Sequence, residues 1–248
     1  MKLTILGSGT CVPTIKRGSP ANYLKIGDKE TLVDCGSGTL RQLVKARLDY
    51  KKIDMVFLTH LHIDHVLDLA TLLQALNWTP GFKRTKDLTL VGPIGLKAFY
   101  ELFQKPFEKA LQPRGYKIII KEIRSRITFK DFSVECAKTI HTDTSLALKF
   151  IENKKSLVIS GDCDYDESLV TFSNRADVLL LECSFSNAEK HSGHLIPKEC
   201  GLIAQESQAK KLILTHLYPI SPREVRLSQA KNIFKNTLLA EDFMTINV

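Results

Sequence analysis

The chain is predicted to fold as a layered α/β sandwich, with strands stacked inside and helices outside. Three observations carry this. Short apolar or alternating runs broken by Gly-rich turns open the chain, a helix-period stripe follows a histidine cluster, and further strand-like runs alternate with helices in the second half. In order, Leu3 to Leu6, Asn22 to Ile26, Thr31 to Asp34 and Asp54 to Leu58 read as strands, bounded by Gly7-Ser8-Gly9, Gly27-Asp28 and Gly36-Ser37-Gly38. Val66, Leu69, Ala70, Leu73 and Leu76 then recur at helical spacing until Asn77-Trp78-Thr79-Pro80-Gly81 stops them, and this apolar stripe must dock on the sheet. Later strands are expected at Lys117 to Ile123, Phe132 to Ala137, Leu146 to Ile151, Leu157 to Ser160, Val178 to Leu181 and Leu212 to Thr215. Ser221-Pro222-Arg223-Glu224 reads as an N-cap, a proline at N1 and a capping-box Glu, opening a last helix toward Phe234.

No repeat, low-complexity stretch or Pro/Gly/Ser linker divides the 248 residues, so one domain over 1–248 is expected. With 44% hydrophobic residues the chain has material for an ample core. No apolar run reaches transmembrane length and the N-terminus starts directly as a strand, so the expectation is a cytoplasmic protein with no membrane partner. The six scattered cysteines, with no C-x-x-C pair, fit reduced thiols. A net charge of +8 suits a polyanionic partner, although lysines such as those of Lys83-Arg84-Thr85-Lys86 equally describe solvated faces.

The chemistry concentrates in His60-Leu61-His62-Ile63-Asp64-His65, three imidazoles and a carboxylate within six residues directly after a buried strand. Leaving a strand end on a short loop, such residues can converge on one point. Imidazole and carboxylate are ligands that zinc, manganese and iron accept. A lone histidine is more often a packed or exposed residue than a ligand. Here, however, His141, Asp162 and His216 also follow strand-like runs, where a sheet delivers site residues.

The ordered pattern H-x-H-x-D-H, an isolated His, an Asp after Ser-Gly and a late Thr-His resembles the metallo-β-lactamase superfamily over roughly Lys2 to Pro219. Gly7-Ser8-Gly9-Thr10-Cys11-Val12-Pro13, Val33-Asp34-Cys35-Gly36, the separated His194 and Leu214-Thr215-His216 resemble its ribonuclease Z branch and the small-phosphodiester relatives of that branch. The resemblance implies the αββα four-layer sandwich of the metallo-β-lactamase fold. It also implies two divalent ions, zinc foremost with manganese or iron as alternatives. One ion is held by His60, His62 and His141, the other by Asp64, His65 and His216, and Asp162 bridges them. Such a pair activates water near neutral pH and neutralises charge on phosphoryl oxygens. Asp64, Glu182 and His194 are the implied catalytic residues, with Glu182 orienting His194 as general acid for the leaving alkoxide. A plain ion pair or a capping role is the alternative for Glu182. Asp34 is read as a carboxylate behind the ligands, and Lys16 and Arg17 as a basic loop for substrate phosphate or, equally, a solvated loop.

The expected function is therefore a metal-dependent hydrolase, a ribonuclease Z-like phosphodiesterase for RNA ends or small or cyclic phosphodiesters, acting as a homodimer. The alternatives are a thioesterase or lactonase of the same fold, or a non-catalytic member that binds nucleic acid. In three places the sequence departs from the tRNA-processing relatives. The interval from His141 to Asp162 holds only two strands and a turn where they carry a long tRNA-clamping arm. Val66-Leu67-Asp68 stand where a glycine commonly follows the motif. A helix over Leu96 to Phe107 is expected to cover the mouth of the site.

Overall fold

The computed structural model describes residues 1–220 and 222–248, leaving out the side chain of Glu108. The first sheet is built from β1 (Lys2–Gly7), β2 (Ala21–Ile26), β3 (Lys29–Cys35), β4 (Met55–Phe57), β5 (Leu88–Gly92) and β6 (Ile118–Glu122), side by side in that order. The second runs from β7 (Arg126–Thr128) through β8 (Ser133–Lys138), β9 (Leu146–Glu152), β10 (Lys155–Ile159), β11 (Val178–Glu182) and β12 (Leu212–Thr215) to β13 (Thr237–Leu239). The last strand, β14 (Thr245–Asn247), returns to the first sheet and pairs with β1. Each sheet is antiparallel on one side and parallel on the other, β3 to β6 and β10 to β13 being the parallel sets.

Strand alternation explains the layering. Met55 and Phe57, Leu157 and Ile159, and Ile213 share one cluster between the sheets, while their neighbours Val56, Leu58, Val158, Leu212 and Leu214 belong to two outer clusters. A sheet buried on both faces needs apolar residues at every position, which is why these runs are continuous rather than alternating. The outer clusters are closed by helices. On the first sheet lie α1 (Thr39–Lys45), α2 (Ile63–Val66), α3 (Asp68–Trp78) and α4 (Leu96–Phe103), and on the second α5 (Glu167–Phe172), α6 (Pro197–Glu206) and α7 (Arg223–Lys231). The result is the four-layer metallo-β-lactamase sandwich. Among the described residues, no helix is long and apolar enough to cross a membrane.

Several expectations change in detail. Asp64 and His65 lie in the single helical turn α2 rather than on a loop. One turn still lets them converge, because only His60 and His62 have to reach back from the strand end. The helix expected over Leu96 to Phe107 stops at Phe103, gives way to a 3₁₀ segment from Lys105 to Ala110, and packs on β6 with Leu96 and Tyr100 in the core. In α7, Pro222 is the N-cap rather than N1, and Ser221 lies outside the described residues. The interval from His141 to Asp162 is a β9–β10 hairpin turning at Asn153 and Lys154, both with positive φ, so the short connection is filled by strand and turn. In Val66-Leu67-Asp68, which stand where a glycine commonly follows the motif, Asp68 is buried and accepts a hydrogen bond from Leu40 N at 2.8 Å, supplying an acceptor for the first turn of α1.

Candidate metal centre

The site forms where loops leave the carboxyl ends of β3, β4, β8, β10, β11 and β12. Asp34, at the end of β3, adopts φ +63° and turns its carboxylate under the histidine motif. One oxygen accepts from Thr59 N at 2.8 Å, and the other from Thr59 Oγ1 at 2.9 Å and His65 Nδ1 at 2.8 Å. With its Nδ1 held by Asp34, the His65 ring is oriented so that Nε2 faces the cluster. The His60 Nδ1 lies 3.0 Å from Thr59 Oγ1, which fixes that ring as well. Two glycines let this backbone close in: a Cβ at Gly36 would stand 1.9 Å from Asp64 O, and one at Gly161, whose φ is +59°, 2.7 Å from Thr59 Cβ. That close approach explains the glycine of Val33-Asp34-Cys35-Gly36.

Asp162 sits at the centre and is buried. Its Oδ1 lies 3.3 Å from His65 Nε2 and 3.3 Å from His216 Nε2, whereas its Oδ2 faces His141 Nε2 at 3.7 Å and His60 Nε2 at 3.9 Å. Asp64 Oδ2 completes the first side, 3.6 Å from His216 Nε2 and 3.8 Å from His65 Nε2. His62 Nδ1 stands 3.1 Å from His141 Nε2 and completes the second. Each side thus gathers donor atoms within 4.8 Å of one another, His60, His62, His141 and Asp162 on one and Asp64, His65 and His216 on the other. The Nε2 atoms of His60, His65 and His216 and Oδ1 of Asp162 are buried without a hydrogen-bond partner. Buried polar atoms are normally paired, so orphaned lone pairs converging on two points fit divalent ions. Burial would lower the His65 pKa, but the Asp162 and Asp34 carboxylates outweigh it and hold it well above the usual imidazole value. Burial and then the neighbouring His65 push His60 down to about 2, keeping it a neutral imidazole. For Asp162, burial favours the neutral acid, but the surrounding histidines, His216 foremost, outweigh it and hold the group ionised.

Beside this cluster His194 Nδ1 lies 2.7 Å from Glu182 Oε1, and its ring lies 4.9 Å from that of His141 and 5.9 Å from that of His216. Glu182 is 1% exposed, so the pair is not a surface contact. Its Oε1 also accepts from Cys163 N at 3.0 Å, and its Oε2 from Ser184 N at 3.0 Å and Ser184 Oγ at 2.7 Å. Burial alone would lower the His194 pKa, but the hydrogen bond and charge of Glu182 leave it raised. The loop carrying His194 is pinned by Lys190, which reaches Asp164, Glu199 at 2.7 Å and His194 O at 2.6 Å, and by Gly193 N donating to Asp164 at 2.9 Å.

A family model described as the beta-lactamase superfamily domain matches residues 30–217, most of the chain and every residue of the cluster. The chain belongs to the metallo-β-lactamase superfamily. Within the superfamily it falls in the ribonuclease Z-like branch and is a metal-dependent hydrolase. It is 27% identical to ribonuclease Z of Archaeoglobus fulgidus, over all of this chain and 97% of that protein. It is 32% identical to the probable metallo-hydrolase YhfI of Bacillus subtilis, over 94% of each. The crystal structure of YhfI superposes with a TM-score of 0.86 at 29% identity, covering 99% of this chain and 98% of that one. Human tRNase Z, short form, superposes with a TM-score of 0.82 at 26% identity, covering 100% and 99%. The alignment with the archaeal enzyme runs over 307 positions against 248 residues here, so that relative carries segments this chain lacks, whereas the YhfI alignment spans 237.

Lys16 and Arg17 flank the same end of this superfamily domain, in a cleft of about 300 Å³ shared with Tyr218, Arg223 and Arg226. Lys16 is exposed. Arg17 is half-buried and spends Nη1 on Ser8 Oγ at 2.5 Å and Ala240 O at 2.7 Å, so it braces the loop as well as charging it. Three neighbours were not singled out from sequence. Thr59 and Ser184 fix ligand rings, Ser184 Oγ lying 2.9 Å from His216 Nδ1, and Tyr218 stacks on Phe185 at 5.0 Å beside His194 and His216. Their only sequence signal was adjacency to His60, Glu182 and His216.

Proposed function

We propose that this chain is a ribonuclease Z-like phosphodiesterase for RNA ends or small or cyclic phosphodiesters. Two divalent ions, zinc foremost, would be held by these residues, one by His60, His62 and His141 and the other by Asp64, His65 and His216, with Asp162 available to both. The observation that carries the reading is the division of the two Asp162 oxygens between two sets of histidines. Relatives named ribonuclease Z support the substrate class. Bound there, two divalent ions supply an activated water and offset the charge that builds on the phosphoryl oxygens. The chain does the rest. Glu182 holds Nδ1 of His194, leaving Nε2 to carry the proton that the departing alkoxide takes up, and the buried donors around Glu182 fix its carboxylate and so keep that imidazole in one orientation. Lys16 and Arg17 place positive charge at the rim, where substrate phosphate arrives.

Elemental analysis of zinc-loaded protein is expected to give two ions per chain. A value that stays below one in folded protein would overturn the two-ion reading. Turnover of bis(p-nitrophenyl) phosphate, a cyclic nucleotide, a 3′-extended tRNA and a thioester, assayed side by side, tests the substrate class. Preference for the thioester alone would remove the phosphodiesterase reading.

Asp34→Ala leaves Thr59 and His65 Nδ1 without their shared acceptor. Outer carboxylates of this kind are worth about 10- to 100-fold in metal affinity. A chelator competition is expected to show a loss of that size, and an unchanged affinity would mean that His65 needs no such support.

A further inference from the structure

The basic residues that neither the metal cluster nor its rim uses gather at one place, and strand direction says where. Strands β3 to β6 run parallel, and the cluster leaves their carboxyl ends, so the connections that enter β4, β5 and β6 meet at the opposite end of the sheet. Asp54 at that end and His60 at the other are about 20 Å apart along an extended strand. The connections are residues 45–54, 79–87 and 112–117, and together they hold nine lysines and arginines against three aspartates.

They form one surface. Tyr50 Oη bonds Thr79 Oγ1 at 2.6 Å, the buried Arg84 donates to Lys51 O at 3.2 Å, to Ile53 O at 2.9 Å and to Asp87 O at 3.1 Å, and Lys117 N donates to Asp87 at 2.8 Å. A cleft of about 400 Å³ opens between Phe82, Lys83, Arg84 and Arg114. Beside it the guanidinium of Arg114 lies 4.0 Å from the ring centre of Trp78, an indole left 52% exposed. The aspartates are occupied: Asp49 caps a turn, Asp54 pairs with Lys86, and Asp87 holds the Lys117 amide. Among the described residues, Lys45, Arg47, Lys52, Lys83, Arg114 and Lys117 form no ion pair.

We propose that this end of the first sheet is an RNA-binding face, with the cleft beside Lys83 and the Arg114–Trp78 pair as its contact points. Unpaired cations spread over three connections match the spaced charges of a phosphate backbone, and an exposed indole under a guanidinium offers a stacking platform for a base. The choice of RNA rests on the phosphodiesterase reading; the charge and the exposed ring do not. The face provides a grip on a long substrate in a chain whose β9–β10 hairpin leaves no room for an arm.

The test is fluorescence anisotropy of an intact labelled oligouridylate of about 20 nucleotides with zinc-loaded protein at fixed salt. The double variant Lys83→Glu/Arg114→Glu is expected to bind at least tenfold more weakly, with a log–log salt dependence flatter by roughly one to two. Trp78→Ala is expected to lose about tenfold. Turnover of bis(p-nitrophenyl) phosphate should not change in either. A charge-matched control on the other layer, Lys198→Glu/Lys235→Glu, is expected to stay close to wild type. Unchanged affinity in the double variant, or an equal loss in the control, overturns the proposal. So does loss of binding to phosphatidylserine vesicles with RNA affinity intact, which would assign the face to lipid. Tight RNA binding lost only in the double variant upholds the face even where no phosphodiester is turned over, and in that case the phosphodiesterase reading alone fails.

Discussion

Asp162→Asn is expected to drop the metal content from two ions to one or fewer and to cut phosphodiester turnover on the order of 10³-fold or more, beyond the roughly 10- to 100-fold cost of outer residues. The substitution keeps the shape and removes the charge. An amide offers one oxygen and one NH₂. Whichever way it turns, its nitrogen faces either the His65 and His216 pair or the His60 and His141 pair, where the structure puts lone pairs 3.3 Å and 3.7 to 3.9 Å away. A protonated nitrogen cannot serve an ion on that side. The loss of charge adds to this, because Asp162 is buried among imidazoles and with Asp64 would balance the charge of two dications held there. Near-ultraviolet circular dichroism should show an intact fold, since all histidines keep their strand-end positions. Elemental analysis after dialysis, with turnover measured on the same sample, decides the matter. Two ions retained with a rate within tenfold of wild type would mean that Asp162 is not shared.

Much of this site was legible because its imidazoles and carboxylates follow strand ends. His60 to His65 are contiguous, and His141, Asp162 and His216 each follow an apolar run, so a one-dimensional pattern already carries the positions that the sheets bring together. What escaped were side chains that act sideways. Ser184 reaches His216 Nδ1 and the Glu182 carboxylate through its hydroxyl, and nothing in Leu181-Glu182-Cys183-Ser184 distinguishes that role from a surface serine. Arg17 was legible as a charge but not as a brace on Ser8 and Ala240, because its partner Ala240 lies far along the chain. Strands β5, β7, β13 and β14 escaped as well; the last three are three residues long, too short to show a period and held by pairing rather than pattern, whereas the apolar run of β5 was passed over. The basic face was invisible for a related reason: its residues are dispersed in sequence, and only the parallel order of β3 to β6 places them side by side.

His194→Ala is expected to lower turnover about 10²- to 10⁴-fold on a substrate with an alkoxide leaving group, the range of general acid catalysis, while two ions remain bound. The separation from metal loss is what makes the test specific. His194 leans on Glu182 and Ser184 rather than on the carboxylates of the cluster, and its removal leaves both histidine sets with their own supports, Thr59 for the set of His60, and Asp34 and Ser184 for the set of His65 and His216. The size of the loss should follow the leaving group. An alkoxide must be protonated as it departs, whereas p-nitrophenolate departs as a stable anion, so the variant is expected to approach wild type on bis(p-nitrophenyl) phosphate. Glu182→Gln should reproduce the pattern in weaker form, because Gln keeps an oxygen for Nδ1–H but removes the charge that holds the His194 pKa up. An equal loss on both leaving groups would make His194 a positioning residue, and no loss on the alkoxide would remove the Glu182–His194 pair from the reaction.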